Sequence, residues 1–139
     1  MSFLLDTNVL SELRKGPRAN ETVRAWDKSV DDDARFTSII VIAELLKGAE
    51  VRRRKDPGGG AALDRWANRV ITNFAERILP VDLQVAAVWA RLVAPRSRPP
   101  LDILIAATAL AHGFTLVTRN VTDFEGTGVT LLNPWTFEG

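Results

Sequence analysis

The sequence predicts an α/β fold in a single domain covering residues 1–139, with a mostly parallel central sheet flanked by helices. Short apolar runs typical of buried strands alternate along the chain with segments of helical periodicity. Several of these runs end in polar residues where the next helix begins, as in the βα units of a parallel sheet. The content of 46% apolar and 25% charged residues is that of an ordinary globular domain.

The first half of the chain is predicted to contain two strands and three helices. Apolar runs predict strands at 2–5 and 35–37, and helical spacing predicts segments at 9–14, 21–29 and 39–55. Lys15-Gly16-Pro17 ends the first helix, and Ser38 is a predicted N-cap for the third. The segment Asp56-Pro57-Gly58-Gly59-Gly60 is expected to be a flexible connection between two helices.

The second half repeats the alternation. Helices are predicted at 62–74, 82–92 and 100–112, and strands at 78–81, 115–118 and 129–132. Pro100 suits the start of its helix, and Gly113 suits a C-terminal cap. Trp66 and Trp89 fit core positions, and the tail NPWTFEG is expected to pack Trp135 and Phe137 onto the body.

Composition excludes several kinds of chemistry. Without cysteine there is no disulfide, thiolate zinc site or cysteine nucleophile, and the single histidine, His112, excludes a two-histidine mechanism within one chain. No secretory signal is visible, and the apolar stretches are too short to span a bilayer. We therefore expect a cytoplasmic protein without a membrane partner.

Four acidic residues are predicted to converge although they lie far apart in the chain. Asp6 ends the first strand, Asp123 follows the fourth, and Glu44 and Asp102 lie in the first two turns of helices. All four positions face the edge of the sheet where ligands gather in such folds. Ionised carboxylates sharing a pocket repel one another unless a cation offsets their charge. The pattern predicts an enzyme dependent on Mg²⁺, with Mn²⁺ as a second possibility.

Each carboxylate also has a structural interpretation. Asp6 lacks an obvious capping role but can turn the chain through its own backbone. Asp102 can complement a helix dipole in a first turn. Glu44 is surrounded by apolar residues and can instead form an ion pair; the candidate partners are Arg14, Lys47 and Arg119.

The polar residues beside these carboxylates are secondary candidates. Spacing does not decide whether Asn120 or Asp123 completes the site. Thr7 and Asn8 follow Asp6 directly, and their side chains can orient a carboxylate or a bound water. The run Arg52-Arg53-Arg54-Lys55 is interpreted as a solvated helix end.

Together these motifs closely resemble the PIN-domain ribonucleases, and in particular the VapC-like toxins of bacterial toxin–antitoxin pairs. The resemblance rests on LLDTNVLSEL, on AEL around Glu44, on DILIAATA at 102–109, on TRNVTDF and on NPW at 133–135. It implies that Asp6, Glu44 and Asp102 hold the metal, and that a fourth position is filled by Asn120 or Asp123. It also implies an endoribonuclease that dimerises and is inhibited by a cognate antitoxin.

The implied chemistry is metal-assisted hydrolysis of RNA phosphodiester bonds, which requires no protein nucleophile. Arg96, Arg98 and Arg119 are the expected phosphate contacts. A haloacid-dehalogenase-type phosphotransferase needs a second aspartate where this chain has Asn8, and a receiver domain needs an acidic pair and a late lysine that are missing. The remaining alternative is a non-catalytic module of the same fold that binds nucleic acid or protein.

Overall fold

The computed structural model describes all residues, 1–139, and contains one sheet of five strands. The strands are β1 Phe3–Leu5, β2 Arg35–Ser38, β3 Ile78–Leu79, β4 Thr115–Val117 and β5 Leu131–Leu132. All neighbours are parallel, and the order in the sheet is β3-β2-β1-β4-β5. The predicted α/β fold with a parallel sheet is confirmed. Strands β1, β3, β4 and β5 are slightly shorter than predicted, and β2 is one residue longer.

Six helices connect and flank these strands. They are α1 Thr7–Leu13, α2 Glu21–Ser29, α3 Ile39–Lys55, α4 Pro57–Phe74, α5 Leu83–Val93 and α6 Pro100–His112. The predicted ends of α2, α3 and α6 are confirmed. The Ser38 side chain accepts a hydrogen bond from the Val41 backbone N–H at the start of α3. Gly113 ends α6 in the left-handed conformation, with φ of 69°. None of these helices has the length and hydropathy needed to cross a membrane.

The prediction of a flexible connection at 56–60 is wrong. Helix α4 begins at Pro57, directly after α3, and takes in all three glycines. Asp56 caps it by accepting from the Gly59 N–H at 3.0 Å. A Cβ on Gly60 would lie 2.4 Å from Cα of Arg53. Gly60 therefore allows α4 to start against the backbone of α3, and the tight packing offsets its poor helix propensity.

The core lies between the sheet and its helices. Leu4, Leu5, Leu116 and Val117 from the two central strands are almost fully buried. The predicted packing of the aromatic residues is confirmed, since four of them pack against this core as partly buried side chains: Trp66, Trp89, Trp135 and Phe137. The central strand β1 thus leads out of the best-buried part of the molecule directly into Asp6.

Candidate active site

Asp6 stands at the carboxyl end of β1 and is only 7% exposed. Its Oδ1 accepts a hydrogen bond from the Thr7 backbone N–H at 2.8 Å, so the residue is the N-cap of α1. The expectation that Asp6 lacks a capping role is therefore wrong. The cap fixes the orientation of the carboxylate at the edge of the sheet.

Thr118 connects the ends of β1 and β4. Its Oγ1 donates to Oδ2 of Asp6 at 2.9 Å and accepts from Nδ2 of Asn8 at 3.2 Å and from the Asn120 N–H at 3.1 Å. Leu5 pairs with Val117 in the sheet, so the residues that follow them are neighbours. The sequence analysis missed Thr118 as a site residue, because the order of the strands was not known.

Glu44 approaches the same edge from the second turn of α3. Its Oε1 accepts a hydrogen bond from Oγ1 of Thr7 at 2.6 Å. It forms no ion pair, so the alternative partners Arg14, Lys47 and Arg119 are wrong. A neutral hydroxyl orients this carboxylate and leaves its negative charge unpaired.

The four predicted acidic residues influence one another electrostatically. Burial raises the pKa of Asp6, hydrogen bonds from Thr118 and Thr7 oppose that rise, and the charges of Glu44 and Asp102 add to it. Burial also raises the pKa of Asp102, and the charge of Asp123 raises it further. Glu44 and Asp102 thus lie near enough to Asp6, and Asp123 near enough to Asp102, for their charges to interact. None of the four carboxylates forms an ion pair.

Asn120 and Asp123 occupy different environments. The backbone of Asn120 contacts Thr118, while its side chain forms no hydrogen bond. Asp123 lies in the 3₁₀ turn Val121–Phe124, where its charge acts on Asp102. Both side chains are exposed, and the electrostatic contact favours Asp123 as the fourth acidic member of the site.

The chemistry of these side chains suits a hard cation, which prefers oxygen ligands. No three acidic or histidine side chains are placed so that they could together hold a metal ion. Mg²⁺ commonly retains several waters and takes only one or two carboxylates directly. Asp6 with Glu44 or Asp102, supplemented by water, fits that requirement.

The three arginines predicted to contact phosphate are held differently. The guanidinium of Arg119 lies over the Trp135 ring, 5.0 Å from its centroid. Nη2 of Arg98 donates to the Glu125 carbonyl at 3.2 Å, while its Nε and Nη1 are buried without a partner. Arg96 is exposed in the loop before α6. The phosphate contacts of all three stay predictions, as do substrate contacts of Thr7 and Asn8.

Known proteins resemble this chain over nearly its whole length. The PIN domain family model matches residues 3–127. The chain is 35% identical over 141 residues to VapC ribonuclease Y4jK of Sinorhizobium fredii, covering 96% of this chain and 97% of that protein. It is also 35% identical over 141 residues to Toxin FitB of Neisseria gonorrhoeae, covering 96% and 98% of the two chains.

Solved structures give the same result. The crystal structure of FitAcB from Neisseria gonorrhoeae superposes with a TM-score of 0.84 at 35% identity, covering 97% of this chain and 99% of that one. The structure of FitAB bound to an IR36 DNA fragment gives a TM-score of 0.81 at 34% identity, covering 99% and 98%. Sequence and fold agree, and the chain belongs to the PIN-domain family.

Proposed function

We propose that this protein is a ribonuclease toxin that hydrolyses RNA phosphodiester bonds with the help of a divalent cation and is neutralised by a cognate antitoxin. The observation that carries the proposal is the buried carboxylate of Asp6, which Thr7 and Thr118 hold at the carboxyl end of β1 within range of the charges of Glu44 and Asp102. None of these three carboxylates forms an ion pair. Such a cluster is costly unless a cation joins it. The cation we propose is Mg²⁺, with Mn²⁺ as a substitute.

The relatives support both halves of this proposal. Y4jK is named a VapC ribonuclease, and it matches this chain over nearly its whole length. FitB is named a toxin, and the two solved structures are named FitAcB and FitAB, which pair FitB with a second component. We infer the same activity and the same dependence on a second protein for the present chain. Dimerisation and action in the cytoplasm stay predictions.

The residues of the chain divide the work between holding the cation and holding the substrate. Asp6 with Glu44 or Asp102 would hold the cation directly, and the remaining carboxylate would hold it through water. When bound, the cation activates water for attack and offsets the charge on the phosphate. Asp123 increases the negative charge near Asp102 and so strengthens the attraction for a cation.

Neutral donors orient the ligands. Thr118 and the Thr7 N–H bind the two oxygens of Asp6, and the Thr7 hydroxyl binds Glu44. These groups fix the carboxylates without neutralising them, which a lysine or arginine in their place would do. Arg119 is held near this edge by Trp135 and is the best-placed contact for a substrate phosphate.

The test is cleavage of a structured RNA pool by the purified protein with Mg²⁺, with Mn²⁺ and with EDTA. We expect cleavage that requires the cation and is lost in Asp102→Asn. Asp33→Asn is the matched control, since Asp33 is exposed and has no partner. Cleavage that survives in Asp102→Asn would place the chemistry elsewhere. RNA binding in EDTA without cleavage under any condition would favour a non-catalytic binding module.

A further inference from the structure

A groove leaves the acidic site along the outer face of α3. It encloses about 580 Å³, starts at Thr7 and Glu44, and extends as far as Lys55 at the end of the helix. Leu63 of α4 and Leu101 of α6 contribute to its walls. The groove is therefore continuous with the proposed catalytic centre, and residues of four helices (α1, α3, α4 and α6) line it.

The floor of the groove follows one stripe of α3. Glu44, Gly48, Val51 and Lys55 are separated by four, three and four residues, which places them on the same face of a helix. At a rise of 1.5 Å per residue, the stripe is about 16 Å long. A ligand bound at Glu44 can thus continue along α3 for a few nucleotides.

The charge of the groove changes sign along its length. Glu44 is the acidic residue at the inner end, while Lys47, Arg52 and Lys55 line the rest. Arg52 pairs with Asp56 at 3.2 Å, but Lys47 and Lys55 are exposed and form no ion pair. Two free ammonium groups beside a hydrolytic centre suit an anionic chain whose scissile group lies at the carboxylates.

Gly48 has no structural reason to be glycine. It lies inside a helix, where glycine costs roughly 0.5–1 kcal/mol relative to alanine. A Cβ at this position would meet nothing within 4 Å. The missing side chain leaves open space at this turn of α3, so a ligand can approach the helix backbone between Glu44 and Val51.

Two apolar side chains line the groove although they are exposed to solvent. Val51 is 55% exposed and Leu101 is 50% exposed. Exposed apolar groups rimmed by charged residues mark interaction surfaces. Here they offer contact surface to a base or a ribose, while the lysines contact phosphates.

We propose that this groove binds the single-stranded part of the RNA on one side of the scissile phosphate, with Lys47 and Lys55 contacting phosphates and Gly48 allowing close approach. The proposal rests on the proposed ribonuclease function and adds the path that the substrate follows. It also gives a function to Lys55, which the sequence analysis assigned to a solvated helix end.

The first experiment measures the affinity of a short fluorescein-labelled single-stranded RNA of mixed sequence as a function of salt. Ca²⁺ is the cation, and the strand is checked for cleavage afterwards. Lys47→Gln and Lys55→Gln should each weaken binding and reduce the slope of log affinity against log salt by about 0.7. Lys28→Gln is the matched control, because Lys28 is also exposed, unpaired and near a helix end. It should leave both quantities unchanged.

The second experiment uses Gly48→Ala to separate binding from folding. Alanine improves helix propensity, so the melting temperature should rise by roughly 2–4 °C. RNA affinity should fall and the KM for cleavage should rise, because the added methyl group occupies the groove. A variant that is more stable and yet binds less well cannot be explained by misfolding.

The outcomes distinguish this proposal from the one on which it rests. Cation-dependent cleavage by the wild type, together with normal affinity and salt slope in all three groove variants, would overturn the groove and leave the ribonuclease intact. Groove variants that bind RNA normally but lose a co-expressed antitoxin would assign the surface to that protein instead. A wild type that neither binds nor cleaves RNA would overturn both proposals.

Discussion

Two edges of the same sheet hold clusters of partly buried charges, and the chain treats them in opposite ways. Arg35, Arg77, Asp27 and Asp32 form what we call the arginine cluster, at the amino end of β2. Arg35 forms ion pairs with Asp27 and Asp32, and Arg77 donates to the Asp32 carbonyl oxygen. Nη1 of Arg35 donates to the carbonyl oxygens of Asp27 and Val30 at 2.9 and 3.1 Å and lies 3.3 Å from Oδ1 of Asp27. Every negative group there has a positive partner.

At the acidic edge, the carboxylates of Asp6, Glu44, Asp102 and Asp123 form no ion pair. Burial raises the pKa of both Asp27 and Asp6, but Arg35 opposes the shift at Asp27, while Glu44 and Asp102 add to the shift at Asp6. In the arginine cluster, the charges of the carboxylates are offset by Arg35 within the chain, so its role is structural. The acidic edge has no positive partner of this kind, and under the proposed function a cation from solution supplies it, as is typical of a functional site.

The largest expected effect comes from one substitution at each edge, Asp6→Asn at the acidic edge and Arg35→Ala in the arginine cluster. Asp6→Asn should reduce RNA cleavage by about a thousandfold or more, because a ligand that positions the cation is lost. Arg35→Ala should leave cleavage per folded molecule unchanged. It should lower the free energy of unfolding by roughly 2–4 kcal/mol, because the Asp27 carboxylate and the carbonyls of Asp27 and Val30 lose their donor. Cleavage rates and denaturant unfolding of both variants test whether one loses activity and the other loses stability. A similar loss of activity in both variants would show that the two edges do not differ in function.

A smaller effect concerns stability and the cation. The pKa of Asp6 is raised above its ordinary value of 3.8, so the folded protein holds this proton more tightly than the unfolded chain does. Below pH 3.8 the residue is protonated in both states and contributes no pH dependence. As pH rises from there through the folded-state pKa, the stability of the metal-free protein falls, and above it the penalty is complete.

The measurement is the difference in unfolding free energy between Asp6→Asn and the wild type. In EDTA the difference should favour the variant increasingly as pH rises through that window and then level off. Mg²⁺ at a hundred times its dissociation constant should stabilise the wild type by about 2.7 kcal/mol. The variant should respond far less. Equal stabilisation of both proteins would remove Asp6 from the cation site.

The smallest effect sharpens the comparison by altering a neutral donor. Thr118→Val removes the hydroxyl that donates to Asp6 and accepts from Asn8 and Asn120. Stability should fall by about 1–2 kcal/mol, because buried polar groups lose their partner. The pKa of Asp6 should rise further, so the acidic limb of the profile of kcat/KM against pH should move to higher pH. Thr118→Ser should restore that limb. An unchanged profile in the valine variant would mean that Thr118 is purely structural.

Sequence patterns predicted most of the fold because its signals are local. Helix α2 was predicted with its observed bounds, and Ser38 and Gly113 cap their helices as expected. The failure at 56–60 has a non-local cause. Three glycines normally break a helix, but at Gly60 the backbone of α3 lies so close that no other residue fits. Helix propensity describes a residue in an isolated helix, so it carries no information about a contact with another helix.

The site was predicted less completely for the same reason. The acidic residues were identified because buried or strand-end carboxylates are conspicuous in a sequence. Thr118 was not identified, since threonine at a strand end is unremarkable until β4 is known to lie beside β1. The ion pair suggested for Glu44 was wrong because the Thr7 hydroxyl satisfies the carboxylate. Charge balance at a site depends on neighbours in space.

The hydrogen bond from Thr118 to Asp6 joins residues 112 positions apart. Ribosomes add about 5–20 residues per second, so Asp6 is made roughly 6–20 s before its partner. Asp102 and Asp123 also come from the last third of the chain. During translation the nascent polypeptide therefore exists without the assembled acidic edge. Under the proposed function, its hazard to the cell begins only when synthesis is nearly finished.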